Sequence, residues 1–411
     1  MIDKLLDASI RFRWGVVILT LIISAYGLSE LLKLPIDAVP DITNKQVQIN
    51  TVEPNLGPLD IERLVTFPVE TAMAGIPGLE TSRSISRNGF SQVTVIFEDH
   101  TDLYFARQQV AERLNQAKGT LPEGAEPQMG PVSTGLGEVL MYTIDYAKAG
   151  TKENPKVAGK PGFQPDGSYI TPTGEILTDD VAKLGYLRTV QDWVIRPQLR
   201  SVSGVAGIDS IGGYEKQFVV QPDASKLATY GISFSELAEA LEKANISVGA
   251  NFVERGGEAF LVRADGRIRT VDEISRATVA SRGGVPVMVG DVATVKVGGE
   301  LRTGSASENG KELVVGTVLM LADGNSRLVA SAAAERLAEV AKSMPPGIVV
   351  KPVLNRSELV DATIGTVEKN LAEGALLVAA VLFWLLGNFR AAVIATLVIP
   401  ISFLMMAMGM N

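Results

Sequence analysis

The sequence predicts a multi-domain membrane protein, with α-helical transmembrane spans near both ends and a large α+β region between them. Mean hydropathy is positive at +0.21, yet 20% of the residues are charged, so the apolar residues must be bunched. They form three uncharged runs: Trp14–Ser29, Gly374–Phe389 and Ala391–Asn411. Between Lys33 and Glu373 the chain instead alternates strand-like and helix-like periodicity. With 411 residues, it is too long for one ordinary core.

The first span is expected from about Phe12 to Leu32, long enough to cross a bilayer. Lys4, Arg11 and Arg13 precede it, as they would a signal peptide, but no small-residue cleavage site follows and the run ends in charged residues. At the other end, two spans joined by a turn at Gly387-Asn388-Phe389-Arg390 fit better than one very long helix. The last run reaches Asn411 without a polar stop, which reads as an N-terminal fragment of a longer chain. Placing Lys4, Arg11, Arg13 and Arg390 in the cytoplasm satisfies the positive-inside bias and puts the large region outside it. That region has no Cys, so it must be held by its core rather than by disulfides. A net charge of −8 argues against a nucleic-acid partner. There is one His, and no nucleophile-elbow, zincin, P-loop or Cys motif, which counts against an enzyme.

In the water-facing region, Gln46–Val52 alternates polar and β-branched residues as a half-buried strand does. Leu59–Met73 has helical spacing, with Pro68 expected to bend or split it. Gln92–Phe97 reads as a buried strand, and Leu103–Ala117 as a helix with Asp102 as cap or first-turn acid. This β-α-β-α order followed by an extended segment suits a split βαβ sandwich of ferredoxin-like type. A second block opens with the strand Val139–Asp145. It then breaks into Ala147–Thr173, rich in Lys, Gly and Pro and read as a surface insertion, before a helix from about Asp179 to Leu199. Leu313–Leu354 reads strand, helix, strand and is taken as the matching half of that block. The segment from about Val205 to Gly299 has its own rhythm and looks like a domain inserted into another. No internal sequence repeat is evident.

The runs LPIDAVPDITNKQVQINT (residues 34–51), PVETAMAGIPGLETSRSISRNGFSQVTVIFEDHTDLYFARQQVAERL (68–114) and GPVSTGLGEV (130–139) closely resemble the heavy-metal efflux branch of the resistance-nodulation-division transporters. LRTVQDWVIRPQL, IGGYEKQFVV, YGISFSELAEAL and GNFRAAVIATLVIPISF extend the resemblance in order over almost the whole chain. It implies a proton-driven metal-cation antiporter of the bacterial inner membrane. The pump would be a homotrimer, working with a periplasmic adaptor and an outer-membrane channel. The expected divisions are residues 1–33 (cytoplasmic N-terminus and first span), 34–131 (first porter subdomain) and 132–204 with 300–370 (second porter subdomain, in two parts). The remainder would be 205–299 (inserted docking domain, with an arm at 245–266 reaching the neighbouring subunit), 371–389 (second span) and 390–411 (truncated third span).

A metal exporter needs carboxylate, imidazole or sulfur ligands converging on a cleft. Glu138, at the join of the first two blocks after Gly135 and Gly137, is the leading candidate; its bland reading is a solvated strand-edge carboxylate. The resemblance implies that the acid of the GLGE motif is a ligand of the proximal metal site. Asp192 in TVQDWV is a weaker candidate for that site, since an acid there is more often a surface or capping group. Glu98, Asp99, His100 and Asp102 lie close together but read as a strand-to-helix turn with its cap. Asp37 and Asp41 could line an entry path, although ordering the exit from the membrane is the plainer role. Met405, Met406, Met408 and Met410 crowd the last run, where packing or lipid contact is the default, while the other methionines are dispersed. The expectation is therefore export of divalent zinc, cobalt, cadmium or nickel, zinc first, rather than of copper(I) or silver(I), with no cofactor beyond the transported ion. From a different class, a membrane-anchored periplasmic sensor would share the first span and the large loop. No span carries a central ionisable group that could read a proton gradient.

Overall fold

The computed structural model describes residues 9–33, 37, 41–148, 151, 158–300, 302, 304–386 and 389–409. Lys4, the proline-rich stretch around Pro35, Ile36 and Pro40, the turn residues Gly387 and Asn388, and Met410 with Asn411 lie outside them.

The first unit is a four-stranded antiparallel sheet under a single layer of two helices. Its strands run Gln46–Val52, Leu79–Arg87, Phe90–Phe97 and Glu126–Met129, ordered second-third-first-fourth across the sheet. With a helix after the first strand and another after the third, this is the β-α-β-β-α-β order of a split βαβ sandwich. Alternation in the first strand sends Val47 and Ile49 into the core, where they meet Val93, Val95, Val69, Met73, Ala106 and Val110. The helix Leu103–Ala117 starts where expected, and Asp102 accepts a hydrogen bond from the Phe105 amide at 2.7 Å. The region around Pro68 resolves into Pro58–Ile61, a widened π-type turn at Glu62–Thr66, and Phe67–Met73 with Pro68 in its first turn. The break is thus placed just upstream of the proline, where the missing N–H costs least.

The second unit repeats this topology. Four strands of its sheet, Glu138–Tyr146, Val205–Ile211, Lys311–Met320 and Ile348–Asn355, are again ordered second-third-first-fourth, and a short fifth, Ala306–Glu308, pairs with the start of Lys311–Met320; all pairings are antiparallel. A helix follows the first strand (Asp180–Val190, a π-type turn at Gln191–Ile195, then Arg196–Arg200), and another, Ser326–Ala341, follows the third. Its first helix thus carries the same π-type turn and following proline, Pro197, as the first unit's. Val205–Ile211 belongs to this sheet, pairing with Lys311–Met320 from Val315↔Ile211 to Met320↔Val205. The inserted segment therefore begins one strand later than the boundary expected at Val205. The Ala147–Thr173 insertion is also less superficial than expected. The short strands Gly162–Phe163, Tyr169–Ile170 and Ile176–Leu177 form a small sheet. That sheet buries Tyr169 and Leu177 in the main core and sets Tyr169 edge-on to Phe163 and at a tilt against Tyr146 and Tyr186.

The inserted unit leaves and returns through one antiparallel pair, Lys216–Pro222 with Ala293–Gly299. Its small core gathers Leu227, Leu237, Ile274, Val289 and Val292. Ser233 and Glu236 form a reciprocal capping box on the helix Phe234–Ala244. Ser247–Arg255 and Glu258–Asp265 pair as a hairpin that hydrogen-bonds to no other strand among the described residues.

The apolar ends are helical. Arg13–Lys33 contains the one stretch among the described residues, Arg13–Glu30, that is long and apolar enough to cross a membrane. The expected second span falls on the C-terminal half of a single 31-residue helix, Arg356–Leu386, whose N-terminal half carries Glu358, Asp361, Glu368 and Lys369. Phe389–Gly409 packs on both other helices. It approaches Arg13–Lys33 so closely that a Cβ on Gly27 would lie 2.5 Å from the Leu404 carbonyl oxygen. Small residues permit such approach between apolar helices.

Candidate cation site

Glu138 is the first residue of the first strand of the second unit, opposite Leu319. The loop before it is fastened to both sheets. The Gly130 amide donates to the Gln48 carbonyl of the first sheet, and Met320 and Ala322 of the second unit donate to the carbonyls of Gly137 and Val132. Gly137 sits tightly in this turn: a Cβ there would displace Ser133 Oγ and lie 3.1 Å from the Thr134 carbonyl oxygen and 3.3 Å from that of Met320. The outcome is an exposed carboxylate on a stiff base at the seam of the two units. The Glu138 carboxylate makes no hydrogen bond or ion pair among the described residues.

The same loop meets the exit of the first apolar helix and the head of the long helix. Thr134 Oγ1 donates to Asp41 Oδ2, and the Thr43 amide donates to Asp41 Oδ1 at 2.9 Å. Partial burial works against ionisation of Asp41, but the hydrogen bonds from Thr134 and Thr43 and the nearby Arg356 charge outweigh it, holding the carboxyl below its ordinary range. Arg356, with its side chain only 11% exposed, donates from Nε to Asp37 Oδ1 at 3.1 Å and from its terminal nitrogen to the Leu136 carbonyl. Asp37 and Asp41 thus take part in ordering this junction.

Asp192 is not brought to Glu138; it sits in the π-type turn over the sheet, with both carboxylate oxygens engaged. Oδ2 accepts from Arg188 Nε at 2.7 Å, and Oδ1 accepts from Arg196 at 3.0 Å and from Ser210 Oγ at 3.0 Å. Arg196 and the Gln191 amide also donate to Ser210 Oγ, and Tyr142 Oη donates to Gln191 Oε1 at 2.9 Å. Burial pushes the Tyr142 phenol well above its ordinary value, so it remains a donor. Asp192 is the anion of this network, the plainer of the two roles expected for it from the sequence. Arg188 and Arg196, four residues to either side, were the signal available in the sequence.

The acidic cluster around His100 behaves as a turn. His100 is exposed and reaches Glu98 at 3.3 Å, while Asp102 caps the next helix. Among the described residues no group of three or more His, Cys, Asp or Glu side chains is close enough to hold a metal ion. Sequence reasoning passed over Arg356, whose partners lie 220 and 319 residues away along the chain.

Two split βαβ units strung between apolar helices, with a third unit inserted into the second, define a membrane-protein fold of the resistance-nodulation-division type. The chain belongs to the AcrB/AcrD/AcrF family, whose model matches residues 5–411. It is 62% identical over its whole length to the nickel-cobalt-cadmium resistance protein NccA of Alcaligenes xylosoxydans xylosoxydans. It is 60% identical to the nickel and cobalt resistance protein CnrA of Cupriavidus metallidurans, also over its whole length. The cobalt-zinc-cadmium resistance protein CzcA of Cupriavidus metallidurans is 46% identical over the whole chain. Two crystal forms of a heavy metal efflux pump superimpose on 99% of the chain with TM-scores of 0.82 and 0.83 at 29% identity. The chain spans 38% of the length of NccA, of CnrA and of the efflux pump in those crystals.

Proposed function

We propose that the full-length protein exports divalent heavy-metal cations across the bacterial inner membrane in exchange for protons, and that this chain contributes one water-facing loop and the first membrane helices. The carrying observation is the grading of identity among relatives. It stands at 62% and 60% for proteins named for nickel, cobalt and cadmium or for nickel and cobalt, 46% for one named for cobalt, zinc and cadmium, and 34% for the cation efflux system protein CusA of Escherichia coli K12. Nickel(II) and cobalt(II) therefore come ahead of zinc, the ion first expected from the sequence. The chemistry agrees with a divalent cargo: the chain has no Cys, and the free group at the seam is a carboxylate, an oxygen donor. Glu138 is the proposed cargo ligand, with further ligands supplied from elsewhere in the full-length pump, while Asp192 shapes the second unit.

The three apolar helices are read as membrane spans, with the two βαβ units as porter subdomains and the inserted unit as a docking domain. An isolated two-stranded hairpin is marginal in water, which supports a homotrimer in which the arm at 245–266 rests on a neighbouring subunit. A periplasmic adaptor and an outer-membrane channel complete the proposed assembly.

The test is metal transport by the full-length protein in proteoliposomes under an imposed pH gradient, comparing Ni²⁺, Co²⁺, Zn²⁺, Cd²⁺ and Cu⁺. Nickel and cobalt flux should exceed zinc flux, and Cu⁺ should move at background rate. Flux that ignores the pH gradient, or that favours Cu⁺, would refute the proposal.

A further inference from the structure

Arg356 stands where the water-facing part turns into the long helix. It directly follows the strand Ile348–Asn355, whose last residue lies opposite Leu140, two residues beyond Glu138. The helix runs without a break from Arg356 to Leu386, 31 residues, or about 46 Å at 1.5 Å per residue. Its head is held in the second unit: Val360 is fully buried, Ser357 Oγ donates to Asn355 Oδ1 at 2.8 Å, and Arg327 pairs with Asp361 at 2.6 Å. From that head one guanidinium reaches two ways, to Asp37 just past the first apolar helix and to the Leu136 carbonyl, two residues before Glu138. A planar guanidinium can make both contacts at once; the single ammonium of Lys lacks that fork.

We infer that Arg356 is a positioning residue that transmits movement of the Arg356–Leu386 helix to the cargo carboxylate of Glu138 by gripping the Leu136 carbonyl while anchored on Asp37. The inference rests on the reading of Glu138 as a cargo ligand. A helix that shifts at its membrane end moves Arg356 as a rigid lever, and the Thr134–Gly137 turn follows, because its backbone is already closed by the Gly137 amide donating to the Thr134 carbonyl. The cation ligand is thereby re-aimed without altering the strand behind it.

The experiment compares wild type, Arg356→Gln, Arg356→Lys and Glu138→Gln in the full-length protein, reading cobalt transport in proteoliposomes and amide hydrogen exchange of residues 134–138. Arg356→Gln should lower the maximal transport rate about tenfold while the half-saturating cobalt concentration changes less than about twofold, the signature of lost coupling rather than lost binding. Exchange in 134–138 should quicken while residues 141–144 stay protected, and Arg356→Lys should fall between wild type and Gln in both readouts. A wild-type rate in Arg356→Gln, or unchanged exchange in 134–138, overturns the inference. So does loss of protection across 141–144 in both Arg356 variants, because Arg356 would then be holding up the second unit as a whole. Faster exchange in Arg356→Gln combined with full transport by Glu138→Gln locates the failure in the cargo reading instead.

Discussion

The first and second units share one topology and differ at its middle joint. In the first, the second and third strands are closed by the tight turn Asn88-Gly89, with Gly89 at φ +70°. In the second, the same joint is opened and residues 212–305 are threaded through it, leaving and returning on a paired strand. A surface turn is where an insertion disturbs the fewest buried groups. Both units fasten their first helix to the sheet at the π-type turn, and both use a serine on the second strand. The first does so with hydroxyls alone: Thr66 Oγ1 lies 2.8 Å from Ser86 and 2.7 Å from Ser91. The second uses charge, with Asp192 between Arg188 and Arg196 and Ser210 beneath. The unit interrupted in the middle thus carries the stronger fastening.

That contrast sets an order of effects. Asp192→Ala should cost the second unit about 3 kcal/mol, because two partly buried guanidinium groups lose their counter-charge. The cost is measurable as a lowered unfolding midpoint of the detergent-solubilised protein. Equal stability of the variant would mean that the network contributes nothing. Ser91→Ala in the first unit should cost only about 1 kcal/mol, since Thr66 keeps Ser86 as a partner. A larger loss for Ser91→Ala than for Asp192→Ala would invert the comparison.

Much of the first unit was legible in the sequence because its elements are close together and clearly periodic. Gln46–Val52, Gln92–Phe97 and Leu103–Ala117 are each amphipathic or buried in the ordinary way. Leu79–Arg87 escaped because it is an edge strand exposed along most of its length, so its residues carry no burial pattern. Val205–Ile211 was assigned to the wrong unit because its partner lies about a hundred residues further on, and periodicity says nothing about pairing at that distance. Tyr169 was hidden inside a Gly- and Pro-rich segment whose composition reads as a surface loop, yet it fills the core under Tyr146. The topological repeat was invisible because an exposed Leu64 in one π-type turn corresponds to an exposed Trp193 in the other, with little shared residue identity. Glu138, the proposed ligand, was singled out through its glycine-flanked loop. The ion pairs that commit Asp192, and the reach of Arg356, emerge only once the chain is folded.

The most direct measurement is cobalt(II) binding to the full-length protein by isothermal titration calorimetry, comparing wild type with Glu138→Gln. If the exposed carboxylate at the seam of the two units is a cargo ligand, its replacement raises the dissociation constant about tenfold or more, equivalent to roughly 1.4 kcal/mol. Equal dissociation constants for the two proteins would contradict the account.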